Sequence, residues 1–117
     1  MSRLLVVEDD PDIAMALRLL LTRAGHEVAH AKDGRTGLKD AYTGRPELVI
    51  LDIGLPGLDG YGVARKLRST GLRTYLIALT GYGLAEDRKR ALDSGFDAHL
   101  TKPPPMDRLL ALVASAS

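Results

Sequence analysis

Three short, continuously apolar runs punctuate the chain, at residues 4–7, 48–51 and 75–79. Runs of this kind predict strands buried on both faces of a sheet. Two further segments, 27–31 and 96–100, alternate in polarity instead. They carry or adjoin His26, Glu27, His30, Asp97 and His99, which marks them as sheet edges. Between the strands, apolar residues return at helical spacing. The first set is Ile13, Leu17, Leu20, Leu21 and Ala24, and the second is Leu38, Ala41 and Tyr42. Val63, Ala64 and Leu67 form the third, and Leu84, Arg88, Ala91 and Leu92 the fourth. Met106, Leu109, Leu110 and Val113 form the last. Asp33 and Asp59 stand where N-caps of the second and third helices belong. Gly25, Gly44 and Gly95 stand where the first, second and fourth helices should stop.

Five strand–helix units in succession imply a mostly parallel sheet with helices on both faces. Short right-handed crossovers with the second and fifth strands outermost leave the order 2-1-3-4-5. The expected fold is therefore α/β: a flavodoxin-like three-layer sandwich with five parallel strands and five helices. Its winding reverses between strands 1 and 3. Open α/β sheets bind ligands at such a switch point, outside the C-terminal ends of the strands.

Composition narrows the chemistry. A length of 117 residues suits one domain spanning residues 1–117, with no DNA-binding or catalytic unit expected after the fifth helix. No cysteine is present, so disulfides and thiolate metal sites are excluded. The net charge of +1 offers no global basic field for nucleic acid, so no direct nucleic-acid contact is expected. No apolar run approaches the roughly 18 residues of a membrane span, and no signal peptide is evident. A cytoplasmic protein without membrane contact is expected, with monomer and weak dimer both open.

The residues at the strand ends carry the chemistry. Glu8, Asp9 and Asp10 follow strand 1, and Asp52 ends strand 3. Thr80 follows strand 4 and Lys102 follows strand 5. Carboxylates gathered in one crevice repel one another, so either one takes up a proton or a cation neutralises them. An oxygen-only donor set suits a hard ion. Mg²⁺ fits, with Mn²⁺ as an alternative. A hydroxyl and an ammonium beside such a site describe phosphoryl transfer, in which the protein positions groups and stabilises charge. A carboxylate is the plausible nucleophile, giving an aspartyl phosphate. Blander readings stand beside these. Asp10-Pro11 reads as an N-cap with proline at N1. Asp52 alone reads as a turn former before Gly54 and Pro56. Residues 81–86 partly imitate a dinucleotide glycine motif but follow the wrong strand. His26 and His30 read as edge-strand surface residues.

Four segments resemble the motifs of response-regulator receiver domains of two-component signalling. They are VVEDD (6–10), LDIGLPGLDG (51–60), ALTGYG (78–83) and HLTKP (99–103). The resemblance covers nearly the whole chain. It implies that Asp52 is the phosphoacceptor, accepting a phosphoryl group from a sensor histidine kinase or a histidine phosphotransfer domain. It implies that Asp9 binds the metal directly, Glu8 through water, and Gly54 through its backbone carbonyl. Thr80 and Lys102 would contact the phosphoryl group, with a cis peptide at Lys102-Pro103. The switch position, usually Tyr or Phe, holds His99. Gly54 is smaller than the usual residue there. The phrase GFDAHLTKP (95–103) most resembles receivers attached to hybrid sensor kinases. The face of helix 4, strand 5 and helix 5 is the family's common output face. In this reading the domain catalyses its own phosphorylation and dephosphorylation without being a turnover enzyme. The alternatives are a small Asp-nucleophile phosphatase, a nucleotide or flavin module, and a degenerate receiver that only binds partners.

Overall fold

The computed structural model describes residues 2–55, 57–81, 85–102 and 104–116, without the side chains of residues 85–87. Ten elements alternate: β1 (Arg3–Val7), α1 (Pro11–Arg23), β2 (Glu27–Ala31), α2 (Gly34–Gly44), β3 (Leu48–Asp52), α3 (Gly60–Ser69), β4 (Tyr75–Thr80), α4 (Ala85–Asp93), β5 (Ala98–Thr101) and α5 (Met106–Ala116). The strands form one parallel sheet in the order β2-β1-β3-β4-β5, as the crossover argument requires. No helix among the described residues is long and apolar enough to cross a membrane.

Strand alternation splits the core into two layers. Leu4, Val6, Leu48, Ile50, Ile77 and Leu79 face α1 and α5, packing on Leu17, Leu21, Leu109 and Val113. Leu5, Val7, Val49, Leu51, Leu76 and Ala78 face the other way, onto Ala41, Val63, Ala64, Leu67 and Ala91. The central strands are buried from end to end because helices cover both faces.

The caps follow the sequence reading. Asp10, Asp33 and Asp59 each accept hydrogen bonds from backbone amides of the helix that follows. Gly25 and Gly95 follow α1 and α4 with φ of 95° and 106°. Other details differ. Helix α2 continues through Gly44, and Arg45 takes the left-handed capping conformation, with φ of 44°. Tyr42, Leu92 and Met106 are exposed, since their helices bury narrower stripes than the spacing suggests. β5 starts at Ala98 rather than Phe96. Phe96 is buried in the turn, and Asp97 accepts the Leu76 amide at 2.8 Å.

Arg68 of α3 clamps the lower end of β4 and β5. It donates to the carbonyls of Gly95, Leu72 and Thr74 and pairs with Asp97 at 2.8 Å. At the other end of the sheet, Gly34 opens α2 against the loop before α3. A Cβ there would collide with the Leu58 carbonyl oxygen and lie 3.1 Å from Val63 Cγ2. That obstacle is backbone and cannot swing away. Gly34→Ala is therefore expected to cost about 2–3 kcal/mol, read as a lower urea midpoint with an unchanged slope.

Candidate functional site

Parallel register builds the site at the upper sheet edge. Val7 pairs with Leu51, so Glu8 and Asp52 emerge side by side at the tips of β1 and β3. Thr80 pairs with Thr101, which brings Lys102 alongside, and its amide donates to the Thr80 carbonyl at 2.7 Å. These tips open into a crevice of about 510 Å³ whose lining includes Asp9, Asp52, Gly54, Thr80 and Lys102.

One oxygen from each of Glu8, Asp9 and Asp52 lies within 4.8 Å of the others. Glu8 and Asp52 are buried, and Asp9 is exposed. The Lys102 ammonium bridges the two buried acids, 2.7 Å from Glu8 Oε1 and 2.9 Å from Asp52 Oδ2. The Gly54 amide donates to Asp52 Oδ1 at 3.1 Å. Glu8 Oε2 is buried with no hydrogen-bond partner. An orphaned carboxylate oxygen in this position is satisfied by a proton or by a cation with its water. The all-oxygen donor set and that open valence fit a hard divalent ion.

Electrostatics separates the acids. Burial, reinforced by the contact with Asp52, pushes the Glu8 carboxyl up to about 7. Burial also acts upward on Asp52. Its contacts with Glu8, Lys102 and the Gly54 amide outweigh burial and hold it below its ordinary value. Lys102 is raised, because its two acid partners outweigh the effect of burial. In the metal-free pocket Asp52 is thus the carboxylate, and Glu8 keeps a proton toward neutrality.

A pH dependence follows. The unfolded chain releases the Glu8 proton near 4.5, whereas the folded protein holds it to about 7. Glu8 thus contributes stability that is present below pH 4.5 and lost as pH rises to about 7, at most about 1.4 kcal/mol per pH unit. Asp52 acts oppositely, losing its contribution as pH falls below 3.8 toward its lowered folded value. Urea titrations in chelator should show this decline between pH 5 and 7, and Glu8→Gln should remove it. Added Mg²⁺ should restore stability at the upper end, since the ion replaces the proton.

The remaining residues fall into place unevenly. Thr80 is buried, and its hydroxyl shares a 2.8 Å hydrogen bond with His99 Nε2. Asp10 caps α1, its Oδ1 accepting the Asp12 amide at 2.9 Å. His30 is half-buried rather than a plain surface residue, with Nε2 2.9 Å from the Glu8 carbonyl. The expected cis bond at Pro103 and the apolar Leu84 lie outside the described residues. The sequence reading missed Arg90. It leans over the Tyr61 ring, 4.1 Å from the centroid, and both residues line the crevice.

Comparison with known proteins places this arrangement. The pattern of the response regulator receiver domain matches residues 4–114. The transcriptional regulatory protein DltR of Streptococcus agalactiae is 44% identical over 111 residues, 95% of this chain and 50% of that protein. The chain spans about half the length of the curated relatives it matches. The receiver domain of the Francisella response regulator 1452 superposes with a TM-score of 0.95 at 29% identity, covering 99% of this chain and 96% of that one. The receiver domain of the sensor histidine kinase PA1611 from Pseudomonas aeruginosa was solved with a magnesium ion coordinated in its active site cleft. It superposes with a TM-score of 0.89 at 31% identity, covering 97% of this chain and 95% of that one.

Proposed function

The chain belongs to the response regulator receiver domain family, and we propose that it works by accepting a phosphoryl group on Asp52. Its role is phosphorelay signal transduction. The observation that carries the assignment of Asp52 is the Lys102 ammonium bridging Glu8 and Asp52 beside Asp9.

The donor is a phosphohistidine of a sensor kinase or a histidine phosphotransfer protein. An Asp52 carboxylate oxygen attacks phosphorus, and the O–P bond forms as the P–N bond breaks. The bond's electron pair returns to the donor imidazolium, which leaves neutral. Asp52 is suited to attack because its lowered pKa keeps it ionised. Mg²⁺, with Mn²⁺ as an alternative, would be held by Asp9, Asp52, Glu8 through water and the Gly54 carbonyl, supplying positive charge for the phosphoryl oxygens. Lys102 moves from its carboxylate partners to a phosphoryl oxygen. Thr80 turns its hydroxyl from His99 to another, and His99 loses that partner. Two arrangements of one hydroxyl thus couple the crevice to β5, as a two-state switch requires.

The phosphatase alternative is not favoured. Gly54, two residues after Asp52, offers no side-chain acid. A degenerate receiver is not favoured either, since the acids and Lys102 converge. We place the domain in the cytoplasm. The transcriptional regulatory relatives favour an attached output domain over a hybrid kinase as its setting. The domain itself makes no direct contact with nucleic acid or membrane in this reading.

The test is intact-protein mass spectrometry after treatment with acetyl phosphate. One alkali-labile phosphoryl group, mapped to Asp52 and absent with chelator, is the expected result. No adduct, or an adduct elsewhere, overturns the proposal.

A further inference from the structure

The crevice presents an electrostatic difficulty to its own substrate. Asp9, Asp10 and Asp52 line it, and a phosphoryl donor is also anionic. Among its described lining residues the cations are Lys102 and Arg90. Lys102 sits at the floor, held by Glu8 and Asp52. Arg90 comes from α4 and is held by a neutral group, the Tyr61 ring of α3.

That difference matters chemically. A guanidinium stacked on a ring keeps its N–H donors around its edge, in the plane that matches phosphate oxygens. Stacking also removes rotamer freedom that a long side chain would otherwise lose on binding an anion. The neighbouring groove carries Arg65 and Lys89 beside Arg90 against one acid, Asp93, so its described lining is net basic.

We infer that Arg90, shelved on Tyr61, is a second anion-contacting residue of the crevice, meeting the phosphoryl donor at the mouth before Lys102 meets it at the floor. This rests on the phosphoacceptor reading of Asp52. It adds a residue that steers the donor and sets its rate of capture. A carboxylate-lined cleft gains most from one oriented cation, because low-dielectric walls focus its field.

The test is the second-order rate of phosphorylation by acetyl phosphate at several salt concentrations. Arg90→Ala should lower the rate about three- to tenfold at low salt and flatten its salt dependence. Arg90→Lys should keep the salt dependence but recover only part of the rate, because an ammonium lacks the planar fork. Arg90 is exposed, so either variant should lose no more than the few degrees of melting temperature that one surface cation–π contact is worth. A second measurement needs no transfer. In Asp52→Asn, titration with acetyl phosphate should move the Arg90 Nε–Hε resonance in NMR spectra. An Arg90→Ala rate and salt slope equal to wild type, or a motionless Arg90 resonance, overturns the inference. If wild type takes up no phosphoryl group, the phosphoacceptor reading fails, and the NMR titration still decides Arg90.

Discussion

Asp52→Asn is expected to abolish phosphoryl uptake, lowering the rate by at least about three orders of magnitude, while leaving the fold intact. The carboxamide matches the carboxylate in size. Its oxygen can still accept from Lys102, which Glu8 also holds at 2.7 Å. What disappears is the ionised oxygen proposed to attack phosphorus, and among the described residues no other group in the crevice has its position. Asp9 is exposed at the rim rather than buried at the sheet edge. A second consequence separates loss of the nucleophile from general damage. Contact with Asp52 reinforces the burial that holds Glu8 up at about 7, so removing that charge should let Glu8 titrate lower. The decline of metal-free stability between pH 5 and 7 should shrink accordingly. Mass spectrometry and paired urea titrations measure both effects. An adduct of undiminished yield in the variant would assign the acceptor elsewhere.

The sheet was legible because burial on two faces writes itself into composition. Runs such as 48–51 contain no polar residue, and only central strands tolerate that. The site was legible for a related reason. Parallel strands all end at one edge, so the residue after each apolar run must lie there, and Glu8, Asp52, Thr80 and Lys102 could be placed without knowing any distance. Contacts between side chains from different units were not legible. Arg68 reaches Gly95 and Asp97 across 27 and 29 residues, and no local periodicity encodes that reach. The stacking of Arg90 on Tyr61 joins two helices whose rotations are set by the core beneath them. No local pattern in the sequence therefore sets Arg90 apart from the charges beside it. The Thr80–His99 pair lies between. Register sets His99 beside Ala78, which puts Thr80 on the diagonal, within reach of an imidazole but not of a shorter group. The β5 boundary moved for a simpler reason: Phe96 fits an alternating strand pattern equally well as a residue buried in a turn.

Lys102→Ala is expected to move two measurements in opposite directions. Phosphoryl uptake should slow by about 10²–10³-fold, the usual cost of removing one oriented charge from a developing anion. Divalent-ion binding should tighten. Lys102 lies 2.7 Å from Glu8 and 2.9 Å from Asp52, where it competes with any metal for the same oxygens. Unit charges a few ångströms apart interact by several kcal/mol even at an effective dielectric of about 20, so tightening of about tenfold or more is expected after relaxation. Without metal, the variant leaves two buried carboxyls without their cation. Glu8, already raised to about 7, would answer by holding its proton to still higher pH. The metal-free variant should therefore lose stability as pH rises, and Mg²⁺ should recover more of it than in wild type. Calorimetric Mg²⁺ titrations beside phosphorylation rates separate these effects. If Lys102 served only to neutralise the acids, added metal would take over its role and the rate would return. If it serves the phosphoryl group, the rate stays low at saturating Mg²⁺.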